Sequence, residues 1–184
     1  MSHPFRRPAF AWLGIPALLA TACSPVFNWR EVPIDGGAEL VALLPCKPER
    51  AQRDLPLGNQ SVPVRMAGCE AGGATFAVAQ ASAPDAQQAQ SWLAAWRSQT
   101  YAQWAGGRIA EGPGRVLHAA GSPAPLRIDA SRDGGQGKAQ QQVRLLWFAH
   151  LQRDGAVSLY QATVLGTPSA PEAVQTFFEG LRLP

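Results

Sequence analysis

A run of alternating side chains at residues 143–151 constrains the fold of this chain more than any other feature. In an extended strand, successive side chains point to opposite faces. One face of this strand would carry Val143, Leu145, Trp147, Ala149 and Leu151. The other face would carry Arg144, Leu146, Phe148 and His150. Because Leu146 and Phe148 are also apolar, the sequence predicts a strand that other parts of the chain cover on both faces.

A long helix is predicted to start near Ser82. Pro84 falls in its first turn, and Asp85 stands three residues after Ser82 as a capping-box acid. Gly106-Gly107 ends it. The residues at helical spacing are Ala89, Trp92, Leu93, Trp96, Thr100 and Trp104. We expect the three tryptophans to pack on a sheet, because large aromatic side chains are usually buried; an exposed surface that binds sugar or membrane is the alternative.

A second helix is predicted after residue 168. Ser169 would be its N-cap, with Pro171 in the first turn and Glu172 completing a capping box. Its apolar face would carry Val174, Phe177, Phe178 and Leu181. This face has to be buried, so we expect the helix to pack on the sheet.

The remaining apolar runs predict strands. They lie at residues 38–44, 62–67, 74–79, 108–118, 125–131, 140–153 and 157–165. Asp154-Gly155 predicts a tight hairpin, because these residues accept positive φ angles. The glycine-rich segment 68–73 predicts another; an anion-binding loop is the alternative, although no Lys-Ser/Thr follows it. We therefore expect an α+β domain, with a long central helix and a C-terminal helix packed on a mostly antiparallel β-sheet.

The first 22 residues have the pattern of a secretion signal. Arg6 and Arg7 form a positively charged start, residues 10–19 are apolar, and Ala20-Thr21-Ala22 suits a signal peptidase. The apolar stretch is too short to span a bilayer, which takes about 20 residues. We therefore assign residues 1–22 as a signal peptide that is removed.

Cys23 stands directly after the predicted cleavage site. Ala-Thr-Ala-Cys approximates a bacterial lipobox, so we expect Cys23 to be lipidated and to anchor the protein to a membrane, facing the periplasm. A plain secreted protein is the alternative. Ser24 follows in place of an aspartate, which resembles lipoproteins that are sorted to the outer membrane. Residues 23–37 would form the tether, from which Trp29 docks on a single domain at residues 38–184.

Lipidation would leave Cys46 and Cys69 as a pair in an oxidising compartment. A disulfide is the expected state of such a pair. Free buried thiols or a metal site are the alternatives. A zinc site requires four ligands at recognisable spacing, and only His118 and His150 could join the two cysteines in the mature chain. We therefore predict a disulfide and no metal or other cofactor.

Net charge and the absence of known motifs argue against two classes of function, nucleic-acid binding and catalysis. Loss of Arg6 and Arg7 with the signal peptide lowers the net charge from +3 to +1, and the basic residues form no run that would follow a phosphate backbone, so a nucleic-acid partner is disfavoured. The chain has no Gly-x-Ser-x-Gly and no His-Glu-x-x-His motif. We therefore assign no catalytic residue.

Three segments together carry a resemblance to a known fold. They are a strand that ends in a turn with two prolines (residues 43–48), a last strand (residues 159–164), and a final helix with the paired aromatics Phe177-Phe178. Over roughly residues 38–183 the chain resembles the PsbP/Mog1/DcrB-like fold, and the whole chain resembles small hypothetical lipoproteins of proteobacteria. The first resemblance implies a protein that docks on membrane complexes.

We therefore expect a non-enzymatic interaction or accessory module of the cell envelope, with a possible envelope protein as its partner. The candidate binding residues are Trp29, Trp92, Trp96 and Trp104. A small-ligand-binding protein and an unrecognised periplasmic enzyme are the alternatives. A pocket with converging polar groups would favour these alternatives, and an exposed apolar patch without a pocket would favour docking.

Overall fold

The computed structural model describes residues 25–34, 40–135 and 139–184. The predicted signal peptide and Cys23 lie outside the described residues. The elements are β1 (Arg30–Pro33), β2 (Val41–Leu44), β3 (Glu49–Leu57), β4 (Gln60–Ala71), β5 (Ala74–Ala83), α1 (Ala86–Gln103), β6 (Arg108–Pro113), β7 (Leu126–Arg132), β8 (Gln141–Leu151), β9 (Val157–Gly166) and α2 (Glu172–Glu179). Over these described ranges the fold is α+β, with an antiparallel sheet and two helices, as the sequence predicts.

Among the described residues, seven strands form the main sheet, in the order β3-β4-β5-β9-β8-β7-β6, and every neighbouring pair is antiparallel. β1 and β2 form a separate two-stranded sheet. The helix α1 packs on one face of the main sheet, and α2 packs on the other face together with the small sheet. The molecule therefore has three layers, with the main sheet in the middle.

The strand β8 is covered on both faces. Trp147 and Leu145 belong to the apolar cluster that includes Trp104 at the end of α1, whereas Leu146 and Phe148 belong to the cluster that includes α2. All four side chains are buried. The alternation in the sequence predicted this arrangement, and the two helices on opposite sides of the sheet explain it.

The small sheet is held to the main sheet by a disulfide and by aromatic contacts. Cys46, just after β2, is bonded to Cys69 of β4, so the predicted disulfide is confirmed. Trp29 and Phe27 both approach Phe76 of β5 edge-on, with ring centroids 6.4 Å apart in each case. The strand β1 lies inside the segment predicted as a tether, so this part of the chain joins the folded structure.

Both helices begin later than the sequence predicts. Ser82 belongs to β5, and Asp85 is itself the N-cap of α1, because its carboxylate accepts a hydrogen bond of 2.8 Å from the backbone N–H of Gln88. The N-cap of α2 is Pro171, without a side-chain cap. Ser169 instead donates its backbone N–H to the carbonyl of Gly72, at 2.7 Å. Ser82 and Ser169 are therefore not caps.

The sequence gives no sign of β3. Six consecutive residues of this strand are exposed, because it lies at the edge of the main sheet. A strand exposed on both faces has no reason to alternate apolar and polar residues. The pairing with β4, from Glu49 opposite Gly68 to Leu57 opposite Gln60, holds it in place.

Two glycines permit close approaches between layers. Gly72, in the β4–β5 turn, has a φ of +58°, and a Cβ there would collide with the ring of Phe27. The structure contains the predicted hairpin, but its turn is shorter than residues 68–73, because residues 68–71 belong to β4 and pair with β5. The Gly72-Gly73 turn also makes room for the N-terminal segment. Gly180, directly after α2, lies against the side chain of Leu43 in β2, so α2 and the small sheet form one continuous layer.

Replacing Cys46 and Cys69 together by alanine is expected to lower the free energy of unfolding by about 3 kcal/mol, because the disulfide closes a loop across 23 positions. Urea denaturation followed by tryptophan fluorescence measures this loss. Chemical reduction of the unmodified protein should produce the same loss. A change of less than about 1 kcal/mol in both experiments would contradict the stabilising role of the bond.

Candidate functional site

A groove of about 1120 Å³ opens on the sheet face that carries α2. One wall is the segment 113–118, which begins at the last residue of β6, and the other wall is α2. The sheet contributes side chains of β7 and β8, and residues 181–183 close one side. Its volume lies slightly above the range for small-molecule sites, which is about 300–1000 Å³.

The groove exists because β6 and β7 are joined by a long loop. Residues 114–125 fold back over the sheet, held by hydrogen bonds from Gly114 N–H to the Pro125 carbonyl (2.9 Å) and from Ala120 N–H to the Ala149 carbonyl (2.7 Å). At the far end of this wall, His118 Nδ1 lies 2.8 Å from the carbonyl oxygen of Pro184. The loop and the last residues of the chain are thereby connected beside the groove.

The inner surface of the groove is apolar. The apolar side chains that line it include Val116, Leu146, Val174, Phe178, Leu181 and Leu183. All of these except Val116 are buried, and they form part of the core between the sheet and α2. The groove therefore exposes the margin of the hydrophobic core to any molecule that enters it.

Charged side chains surround this apolar surface, and most of them are arginines. The groove is lined by Arg115, Arg127, Arg144 and Arg182, with Glu179 as the acidic residue among the described lining side chains. They come from the 113–118 wall, β7, β8 and the residues after α2. The fold thus assembles four guanidinium groups that are far apart in the sequence.

Two of these arginines share one carboxylate. Asp129 lies opposite Arg144 in the β7–β8 register, and its Oδ1 is 3.8 Å from Arg144 Nε. Arg127, two residues before Asp129 on the same face of β7, donates from Nε to Asp129 Oδ2 at 3.1 Å. A single carboxylate between two guanidinium groups leaves one positive charge in excess at this place.

The guanidinium of Arg127 also lies over the ring of Phe178, with 5.3 Å from its carbon to the ring centroid. This contact joins the sheet to α2 and holds the cation at the border of the apolar surface. Arg182 pairs with Glu31 of β1. Arg115 is exposed and has no hydrogen bond or ion pair among the described residues.

The chemistry of this arrangement favours binding. A guanidinium group stays protonated, presents five N–H donors and accepts no proton, so it binds carboxylates and phosphates but does not act as a base. Glu179 accepts a hydrogen bond of 2.7 Å from Gln175 of the same helix. The groove therefore offers fixed positive charges beside an apolar surface.

The tryptophans singled out in the sequence do not line this groove. Trp92, Trp96 and Trp104 are each less than a tenth exposed and pack between α1 and the sheet. The indole N–H of Trp92 donates to Gln60 at 3.1 Å. Trp29 is half-buried against Phe76. The three tryptophans of the helix region are core residues and leave no broad indole surface for a ligand.

The groove arginines were missed because they share no motif. The one available signal was Arg144, a charged residue in line with Leu146 and Phe148 on a strand face predicted to be covered.

Among the described residues, no group of three His, Cys, Asp or Glu side chains is arranged to hold a metal ion. Within residues 25–34, 40–135 and 139–184, no helix is long and apolar enough to cross a membrane.

Comparison with protein-family models finds no match, and no curated protein matches the chain.

Replacing Arg127 or Arg144 by glutamine is expected to change the free energy of unfolding by less than about 1 kcal/mol, because partly exposed ion pairs contribute little. Replacing the fully buried Phe177 by alanine serves as the positive control and should cost about 3–5 kcal/mol. Urea denaturation measures all three. A loss in either arginine variant as large as that of the control would mean that the arginines serve the fold.

Proposed function

We propose that this protein is a lipid-anchored module of the bacterial cell envelope that acts by binding, without catalysis, and that the groove is its binding site. The observation that carries the binding role is the arginine-lined apolar groove. Its polar groups converge on a concavity, which favours a ligand-binding site over a flat docking surface. The anchor is proposed from the sequence around Cys23.

The compartment is proposed from covalent chemistry. A signal sequence that stops at Cys23 accounts for the odd cysteine, and the remaining pair is bonded in the folded protein. Stable disulfides are typical of proteins outside the cytoplasm. Both features support export to the periplasmic side of a membrane, and Ser24 favours the outer membrane.

Membership of the PsbP/Mog1/DcrB-like group remains part of the proposal. It is supported by the sequence of the three segments at residues 43–48, 159–164 and 177–178. Such a relationship would favour an accessory protein that works beside a membrane complex. Fold analogy alone assigns no ligand, so the groove carries the functional argument.

Replacing Cys23 by serine is expected to move the protein from the membrane fraction to the soluble periplasmic fraction and to abolish labelling by radioactive palmitate. The variant Ser24→Asp is the matched control for sorting: it should keep the label but shift from the outer to the inner membrane. Fractionation and autoradiography measure both. Unlabelled wild-type protein in the soluble fraction would contradict the anchor.

A photo-crosslinking amino acid at Leu117, an exposed residue that lines the groove, is expected to capture the same small molecule repeatedly in living cells. Leu151 is a control of similar character, exposed but outside the groove lining. Mass spectrometry of the purified adducts identifies what is captured. Equal capture at both positions, or none at residue 117, would contradict a binding role for the groove.

A further inference from the structure

We infer that the occupant of the groove is a single-chain amphiphile with one anionic head group, a long-chain carboxylate. This inference rests on the proposed function only in taking the groove as the binding site. The ligand class follows from the distribution of charge and apolar surface inside the groove. A ligand that matches both regions has one anionic end and one apolar end.

The head group belongs beside Arg127 and Arg144. Asp129 accepts hydrogen bonds from Nε and Nη2 of Arg127, at 3.1 and 3.4 Å, which leaves Nη1 of Arg127 available. Arg144 Nε lies 3.8 Å from Asp129, an ion pair without a hydrogen bond, so both terminal nitrogens of Arg144 are also available. A guanidinium binds a carboxylate through two parallel N–H donors. A ligand carboxylate would neutralise the one positive charge of Arg127 and Arg144 that Asp129 does not balance.

The chain of the amphiphile belongs on the apolar surface next to these arginines. Leu146 is two residues after Arg144 on the same face of β8, and Phe178 lies under the guanidinium of Arg127. Val174 is one turn before Phe178 on α2. Apolar surface therefore begins where the cationic groups end, as a carboxylate attached to a hydrocarbon chain requires.

At the mouth of the groove, which the exposed residues of the 113–118 wall form, a positive charge again lies beside apolar surface. Arg115 is exposed and has no partner among the described residues, and Leu117, on the same wall, is 74% exposed. An apolar side chain that is exposed to this extent beside a site can be covered by a bound chain. The arginines would also repel a cationic amphiphile. A bare inorganic anion would leave the apolar surface uncovered.

The test compares four probes with the same twelve-carbon chain, each below its micelle concentration. They are dodecanoate, dodecyl phosphate, dodecyltrimethylammonium and dodecyl maltoside. Isothermal titration calorimetry of the purified, disulfide-bonded protein should show one dodecanoate per chain. The cationic and neutral probes should bind at least tenfold more weakly, and inorganic phosphate alone should not bind detectably.

Variants locate the binding. Arg127→Gln and Arg144→Gln should each weaken dodecanoate about tenfold or more, because each loses charge-assisted hydrogen bonds, while dodecyl maltoside binding stays unchanged. Arg53→Gln, an exposed arginine of β3 outside the groove lining, is the matched control and should have no effect. Leu117→Asp, at an exposed position where folding is not at risk, should weaken dodecanoate by adding a negative charge at the mouth.

Four results would overturn the inference. Equal affinity for the anionic and cationic probes would mean that the groove is a non-specific apolar surface. Tight binding of inorganic phosphate would mean a simple anion site. Unchanged dodecanoate affinity in both arginine variants would place the carboxylate elsewhere. None of these results changes the outcome of the crosslinking experiment at residue 117 in cells. The ligand class and the binding role of the groove can therefore be disproved separately. Tighter binding of dodecyl phosphate than of dodecanoate would also overturn the carboxylate assignment.

Discussion

The central strands of the main sheet are apolar on both faces, and the rest of the structure depends on this. β8 and β9 bury residues in unbroken runs, Leu145 to Ala149 and Val157 to Tyr160, and such strands require a layer on each side. The helix α1 covers one face. The other face is covered by two smaller pieces, α2 and the sheet of β1 and β2. Between α2 and the 113–118 wall this second cover is incomplete, and a groove opens there beside Arg127 and Arg144.

The second cover depends on its attachments. A two-stranded sheet of four-residue strands is not stable alone, so β1 and β2 need the disulfide, the contact of Trp29 with Phe76, and the close approach of Gly180 to Leu43. These same attachments set the position of Arg182, which pairs with Glu31 of β1. The fold and the shape of the candidate site are therefore held by one group of contacts.

The sequence predicted those elements whose residues are buried in a regular pattern. The alternation at residues 143–151 predicted β8, and the glycine-rich segment 68–73 and Asp154-Gly155 predicted hairpins that the structure contains. β3 could not be predicted, because an exposed edge strand carries no apolar period. The groove could not be predicted either, since its arginines stand on four separate segments. Only the register that sets Asp129 opposite Arg144 shows that two of them share one carboxylate.

The order of strands in the main sheet has a consequence for the route of folding. β5 and β9 are neighbours at its centre, with Phe76 opposite Val164, yet α1 and the strands β6 to β8 lie between them in the chain. Contacts between distant segments form slowly, because a large loop has to be closed first. Cys46 and Cys69, by contrast, are brought together by the local β3–β4 hairpin. Cys46 and Cys69 can therefore meet before the rest of the sheet forms, whereas the apolar centre of the sheet stays open until residues 157–166 pair with β5.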